Sequence, residues 1–170
     1  MAKILFMKYD FRKMKLLYLA SIVLFAPLGY VMAYSTENIL SAYSYMLLIS
    51  TIVPTSLFTY EQRADCGFDL MLPAKEGDRI AGRYLISAVT IIYEFLLGTV
   101  IAFILTKTTQ AVWFDISVIF KFFVGGILIC MSIELCILYI IGRGINPQVR
   151  SVMIMLPNMI IWGIASAAIN

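Results

Sequence analysis

Five runs of about 20 predominantly apolar residues, each long enough to cross a ~30 Å hydrocarbon core as a helix, limit what this chain can become. They cover 16–34, 39–59, 80–105, 118–141 and 152–169. In lipid a backbone must satisfy its own N–H and C=O groups, which leaves helices or a closed barrel, and these runs are too continuous for a barrel's alternation. Composition agrees: 62% of the residues are hydrophobic and 14% charged, more apolar surface than a water-soluble globule can hide. The sequence predicts an all-α integral membrane protein with five transmembrane helices. No repeat and no linker divides it, so residues 1–170 read as one membrane domain.

Orientation follows from Lys and Arg in the connecting segments. Lys3, Lys8, Arg12, Lys13 and Lys15 precede the first span; Arg63, Lys75, Arg79 and Arg83 lie between the second and third; Arg143 and Arg150 follow the fourth. These eleven share one side, against Lys107 and Lys121 on the other, which puts the N-terminus in the cytoplasm. Residues 1–15 mix Ile4, Leu5, Phe6, Met7 and Phe11 with the lysines, the pattern of an amphipathic helix lying on the cytoplasmic surface. Val31 and Ala33 would also fit a leader-peptide cleavage site, but a retained first span is the reading adopted. Pro27, Pro54 and Pro157 interrupt spans one, two and five, as membrane helices tolerate, and Gly163–Ala168 offers a close-packing face.

What is missing narrows the chemistry. The chain has no histidine, and its three cysteines are divided between a polar stretch (Cys66) and one apolar run (Cys130, Cys136). Imidazole bases, His-ligated metals and a disulfide framework are therefore not suggested, and the cysteines read as small packing residues. No catalytic residue, metal site or nucleic-acid partner is expected.

The polar stretch between spans two and three, "YEQRADCGFDLMLPAKEGDRIAGRY", holds nine charged residues: Glu61, Arg63, Asp65, Asp69, Lys75, Glu76, Asp78, Arg79 and Arg83. Its cations fix topology, but its acids contribute little to orientation, and Phe68, Leu70, Met71 and Leu72 do not suit a solvated loop. An amphipathic helix fits better. Phe68, Met71 and Leu72 share one face and Asp65 and Asp69 another; Pro73 ends the helix, Gly77 loosens the chain, and Asp78 caps the next helix at Arg79–Ile80. A short helix with one greasy and one charged face suits docking into a groove on a soluble partner.

This stretch resembles the segment after the second span in ABC-2 type permeases of ATP-binding-cassette transporters, especially small bacterial export permeases for peptides, toxins or drugs. There an acid follows the second span, then Leu-Pro about ten residues on, an Ile or Val, and a basic residue beside an aromatic; Glu61, Leu72-Pro73, Ile80 and Arg83-Tyr84 occupy those positions. Two features depart from that pattern: Ala74-Lys75-Glu76 follows Leu-Pro where the family commonly has Ser or Thr then a cation, and five spans are counted where six are usual. Either the chain is a short member or it is part of a longer protein.

The resemblance implies a non-catalytic permease subunit in the bacterial cytoplasmic membrane. It forms the translocation path for an exported hydrophobic or amphipathic substrate such as a peptide or drug. The chain has no P-loop, so ATP and Mg would belong to two separate ATPase subunits, with a second permease copy or homologue completing the assembly. Residues 61–79 would be the coupling segment, with Phe68, Leu70, Met71, Leu72 and Pro73 as docking contacts and the charges from Glu61 to Arg83 setting register.

Glu94 and Glu134 lie inside spans three and four, where a central acid costs on the order of 3 kcal/mol to insert and normally faces protein or water. Counted at about 1.5 Å per residue, Glu94 is about 16 Å from Arg83 and Glu134 about 13 Å from Arg143, placing both at similar depth in the inner half. Ser87, Thr90, Glu94, Gly98 and Ala102 share one face of span three, and Gly126, Cys130 and Glu134 one face of span four. They serve either as hydrogen-bonding glue between spans or as a polar lining or proton site on the path. A non-ABC, ion-coupled or small-molecule-binding carrier built on Glu94 and Glu134 is the alternative function.

Overall fold

A computed structural model describes residues 2–43, 49, 52, 53, 56, 75–109, 115–141, 149, 152, 153, 155–157, 159, 160, 163 and 164. Among the described residues there is no strand. The elements are α1 (Ala2–Ala20), a π-helical turn (Ser21–Phe25), α2 (Ala26–Thr36), a 3₁₀ turn (Ile39–Tyr43), α3 (Glu76–Thr108), α4 (Ile116–Ile119), a second π-helical turn (Phe120–Gly125) and α5 (Gly126–Ile141).

From Ala2 to Thr36 the chain is helical without a break. The sequence suggests a joint after Lys15, between a surface helix and the first span. The observed helix runs through, because 1–15 holds no glycine or proline and charge alone does not end a helix. Met14 is buried against the core and Met7 partly so, which ties the charged half of α1 to the same neighbours as its apolar half. Pro27 cannot donate an N–H and its ring crowds the preceding carbonyl. The wider turn at Ser21–Phe25 comes immediately before it, and the helix passes through the proline instead of stopping. Glu37 then takes a left-handed conformation (φ 51°, ψ 24°), reversing the chain so that the 3₁₀ turn folds back beside α2.

Helix α3 is the centre of the bundle. Its 33 residues span about 50 Å, and it packs against α1, α2, the 3₁₀ turn, the second π turn and α5. It starts earlier than the sequence suggests. Lys75, in extended conformation, precedes the first turn, and Asp78 lies inside that turn with its N–H bonded to the Lys75 carbonyl. Asp78 is therefore not the cap; with Glu76 it complements the positive end of the helix dipole. At the other bundle face Asp115 caps α4, its carboxylate accepting from the Ser117 N–H at 2.9 Å.

One face of α3 is buried, and the opposite one, with Leu85, Val89, Ile92, Leu96, Val100 and Phe103 at helical spacing, is open. A central helix of a soluble protein would cover such a face. Two helical stretches, Ile4–Thr36 and Glu76–Thr108, are long and apolar enough to cross a membrane, and residues 116–141 form a third continuous helical run. Of the expected spans, the second and fifth fall largely outside the described residues; those described within them at 49, 52, 53, 56, 152, 153, 155–157, 159, 160, 163 and 164 are helical.

Candidate functional site

The polar face of α3 meets α1 in the middle of the bundle. The two helices run parallel, since Arg79 lies over the Phe6 ring, Tyr18 bonds Thr90 and, further along, Tyr30 bonds Thr108. Where α1 widens into the π turn, a cluster of hydroxyls gathers. The Tyr18 hydroxyl and Thr90 Oγ1 are 2.6 Å apart, and the Thr90 hydroxyl also donates to the Ile86 carbonyl at 2.7 Å. Ser21 donates to the Tyr18 carbonyl at 2.7 Å and lies 3.2 Å from the Tyr93 hydroxyl, which itself reaches the same carbonyl at 3.4 Å. Rings close the cluster: Tyr93 meets Tyr18 edge-on, and Phe11 stacks on the Tyr18 face. Glu94, 2% exposed, faces Ser21 and Tyr18 from α3.

Helix α5 runs antiparallel to α3. Phe95 meets Phe120 at one level; below it, Tyr84 reaches the Ser132 carbonyl and Cys136 Sγ, and Arg83, 3% exposed, donates to the Tyr139 hydroxyl at 3.3 Å. This register places the second π turn level with the stretch of α3 around Glu94. The middle of α3 is thus flanked by a π turn on each side, a local irregularity that often accompanies function. The register also corrects the depth of the two acids. Glu134, 0% exposed, lies near the level of Tyr84, ten residues or about 15 Å from Glu94 along α3. Counting from the nearest arginine set Arg143 level with Arg83, whereas α5 pairs Arg83 with Tyr139.

All five residues of the polar stripe on α3 (Ser87, Thr90, Glu94, Gly98, Ala102) are buried within this one chain. So are Cys130 and Glu134 on α5. Gly98 has a steric duty: a Cβ there would stand 2.5 Å from Tyr43 Cδ1, and that ring is fully buried, stacked on Phe95 and bonded to Thr99 at 3.1 Å. Of the residues expected to couple to a partner, Lys75, Glu76, Asp78, Arg79 and Arg83 are described, all in or beside the first turns of α3. Glu61, Arg63, Asp65, Phe68, Asp69, Leu70, Met71, Leu72 and Pro73 lie outside the described residues. The sequence reading missed Tyr18, Ser21 and Tyr93 as partners of the α3 stripe. Their signal was there: Met14, Tyr18 and Ser21 repeat at helical spacing, which puts two hydroxyls on the buried face of α1.

Among the described residues no group of His, Cys, Asp or Glu could hold a metal ion. The arrangement is that of a helical membrane domain built around one polar seam. A family model for an ABC-2 family transporter protein matches residues 5–169. The chain therefore belongs to the ABC-2 transporter family, a membrane transport component that works with ABC ATPase subunits. No curated protein and no solved structure matches it.

Proposed function

We propose that this chain is the non-catalytic permease subunit of an ATP-binding-cassette exporter in the bacterial cytoplasmic membrane. Two copies, or one copy and a homologue, pair with two ATPase subunits that hold ATP and Mg, and residues 61–79 couple them. A helical membrane domain with a cytoplasmic N-terminus fits this assembly, although the five spans expected are one fewer than is usual in the family, and the short outer loops favour a hydrophobic or amphipathic cargo. The observation that carries the coupling is α3 itself. It begins at Glu76, within the coupling segment, holds no proline, and packs on α1, α2, the 3₁₀ turn and α5. A displacement of its cytoplasmic end is delivered to every element packed on it.

Thr90 and Glu94 act first as glue in the seam between α3 and α1, while Ser87 is buried on the same stripe and Glu134 is buried on α5. Burial inside one chain supports a structural role for all four, and Thr90 and Glu94 come to line a path only when α1 and α3 part. Two experiments test these roles. The ATPase should co-purify with the intact chain and be lost on Leu72→Asp; an ATPase still bound to that variant removes the docking assignment, and a reversed charge at Asp69 with assembly intact weakens it. Glu94→Gln separates the two roles of the carboxylate. Normal assembly with impaired transport means that the acid serves the path, and unchanged transport leaves it as glue.

A further inference from the structure

Lys75 stands exposed at the start of α3, and the other cations whose side chains are described at the cytoplasmic end fall into two sets. Lys13 Nζ lies 4.3 Å from the Tyr9 ring centre, the Arg79 guanidinium lies over Phe6, and Arg83 is buried against Tyr139. These three are used inside the protein. Lys8, Arg12 and Lys15 are different. All three are exposed, and among the described residues they make no hydrogen bond, ion pair or ring contact. At 3.6 residues per turn they fall within about 60° of arc on one face of α1, over about 10 Å of its length. The topology rule asks only for positive charge on the inner side; it does not require that these three share a face, or that the face be the open one.

That face continues without interruption into Leu16, Leu19 and Val23, all exposed and aliphatic. Ile4, Leu5 and Phe11, also exposed, flank the cations. A helix surface that changes from aliphatic to cationic within one turn, with no change of direction, passes from acyl chains into the headgroup layer. We propose that Lys8, Arg12 and Lys15 form a binding stripe for the phosphates of anionic phospholipids in the inner leaflet. Each ammonium or guanidinium near an anionic surface adds roughly 1 kcal/mol of attraction, or about fivefold in binding. The stripe anchors the cytoplasmic half of α1, whose opposite face holds Met14 and Tyr18 against α3. It does not depend on the coupling role of 61–79.

The test uses the full chain in nanodiscs of phosphatidylcholine with or without phosphatidylglycerol, and a photoactivatable phosphatidylglycerol. On the wild type, crosslinks should concentrate on residues 4–16 and fade as salt rises. Lys8→Gln with Arg12→Gln should lower crosslinking there about fivefold per charge removed. The matched pair Lys13→Gln with Lys75→Gln should leave it nearly unchanged, and Lys8→Arg with Lys15→Arg should retain it. Equal losses from the two Gln pairs, or wild-type crosslinks that fall elsewhere, overturn the stripe. Release of the ATPase subunits by Lys8→Gln with Arg12→Gln in detergent free of anionic lipid also overturns it, because the face would then be reading an acidic protein surface. The wild-type crosslink map decides the matter even where a variant fails to fold.

Discussion

Helix α3 is held on its two sides by different physics. Towards α1 the contact is polar: Tyr18, Ser21, Thr90 and Tyr93 share hydrogen bonds around Glu94. Towards the 3₁₀ turn it is mainly steric, with the Tyr43 ring pressed onto the bare backbone of Gly98 and a hydrogen bond between its hydroxyl and Thr99 beside it. In lipid, hydrogen bonds between helices average only about 0.6 kcal/mol, since a separated helix finds other partners. A ring seated where no Cβ exists has no such substitute. The steric contact should therefore be the stiffer of the two and the polar seam the one that opens.

Breaking the steric contact gives the largest effect. Gly98→Ala should cost about 1–3 kcal/mol, because Tyr43 is buried on all sides and cannot swing away. Thermal unfolding in detergent would measure it, and Gly98→Ala combined with Tyr43→Ala should recover part of the loss. Additive losses would show that the ring and the glycine are not coupled. The turn that delivers Tyr43 comes next. Glu37 pays a left-handed backbone penalty that glycine does not, so Glu37→Gly should stabilise the protein by about 1 kcal/mol.

The polar seam should yield less. Tyr18→Phe removes one hydroxyl while Thr90 keeps its bond to Ile86, and a loss near 0.6 kcal/mol is expected from the same melts. A loss as large as that of Gly98→Ala would reverse the ranking of the two contacts. The smallest effect lies outside both. The Ser117 N–H, and with it the Ser117 side chain and Lys121, holds the Asp115 carboxyl below the usual carboxylate range. Its cap on α4 is thus in place above the ordinary carboxylate pKa and is lost as pH falls through the lowered one. Melts of Asp115→Asn against wild type should differ at neutral pH and converge in acid.

Much of this was legible in the sequence, for specific reasons. The span of α3 and its polar stripe could be read because residues at helical spacing must share a face, whatever they touch. Glu94 and Glu134 stood out because a buried acid is costly. The partners across the seam were harder. Tyr18 and Ser21 are 72 residues from Thr90 and Tyr93, and only the parallel packing of α1 on α3 brings them together. The relative depth of the two acids failed for the same reason, since helix register depends on packing and not on distance from an arginine. The unbroken helix from Ala2 to Thr36 was hidden by its charges, which suggested a surface segment where the backbone has no cause to stop.

The fixed point at Gly98 has a mechanical consequence. From Gly98 to Glu76 is about 33 Å of helix, and from Gly98 to Thr108 about 15 Å. If α3 rocks as a rigid rod about the Tyr43 ring, that ring is a fulcrum placed two-thirds of the way along a lever. A roughly 2 Å push at the Glu76 end then becomes about 1 Å at the Thr108 end, in the opposite sense and with about twice the force. Such an off-centre pivot would trade travel for thrust, closing the bundle at the Glu76 end while prising it open at the Thr108 end.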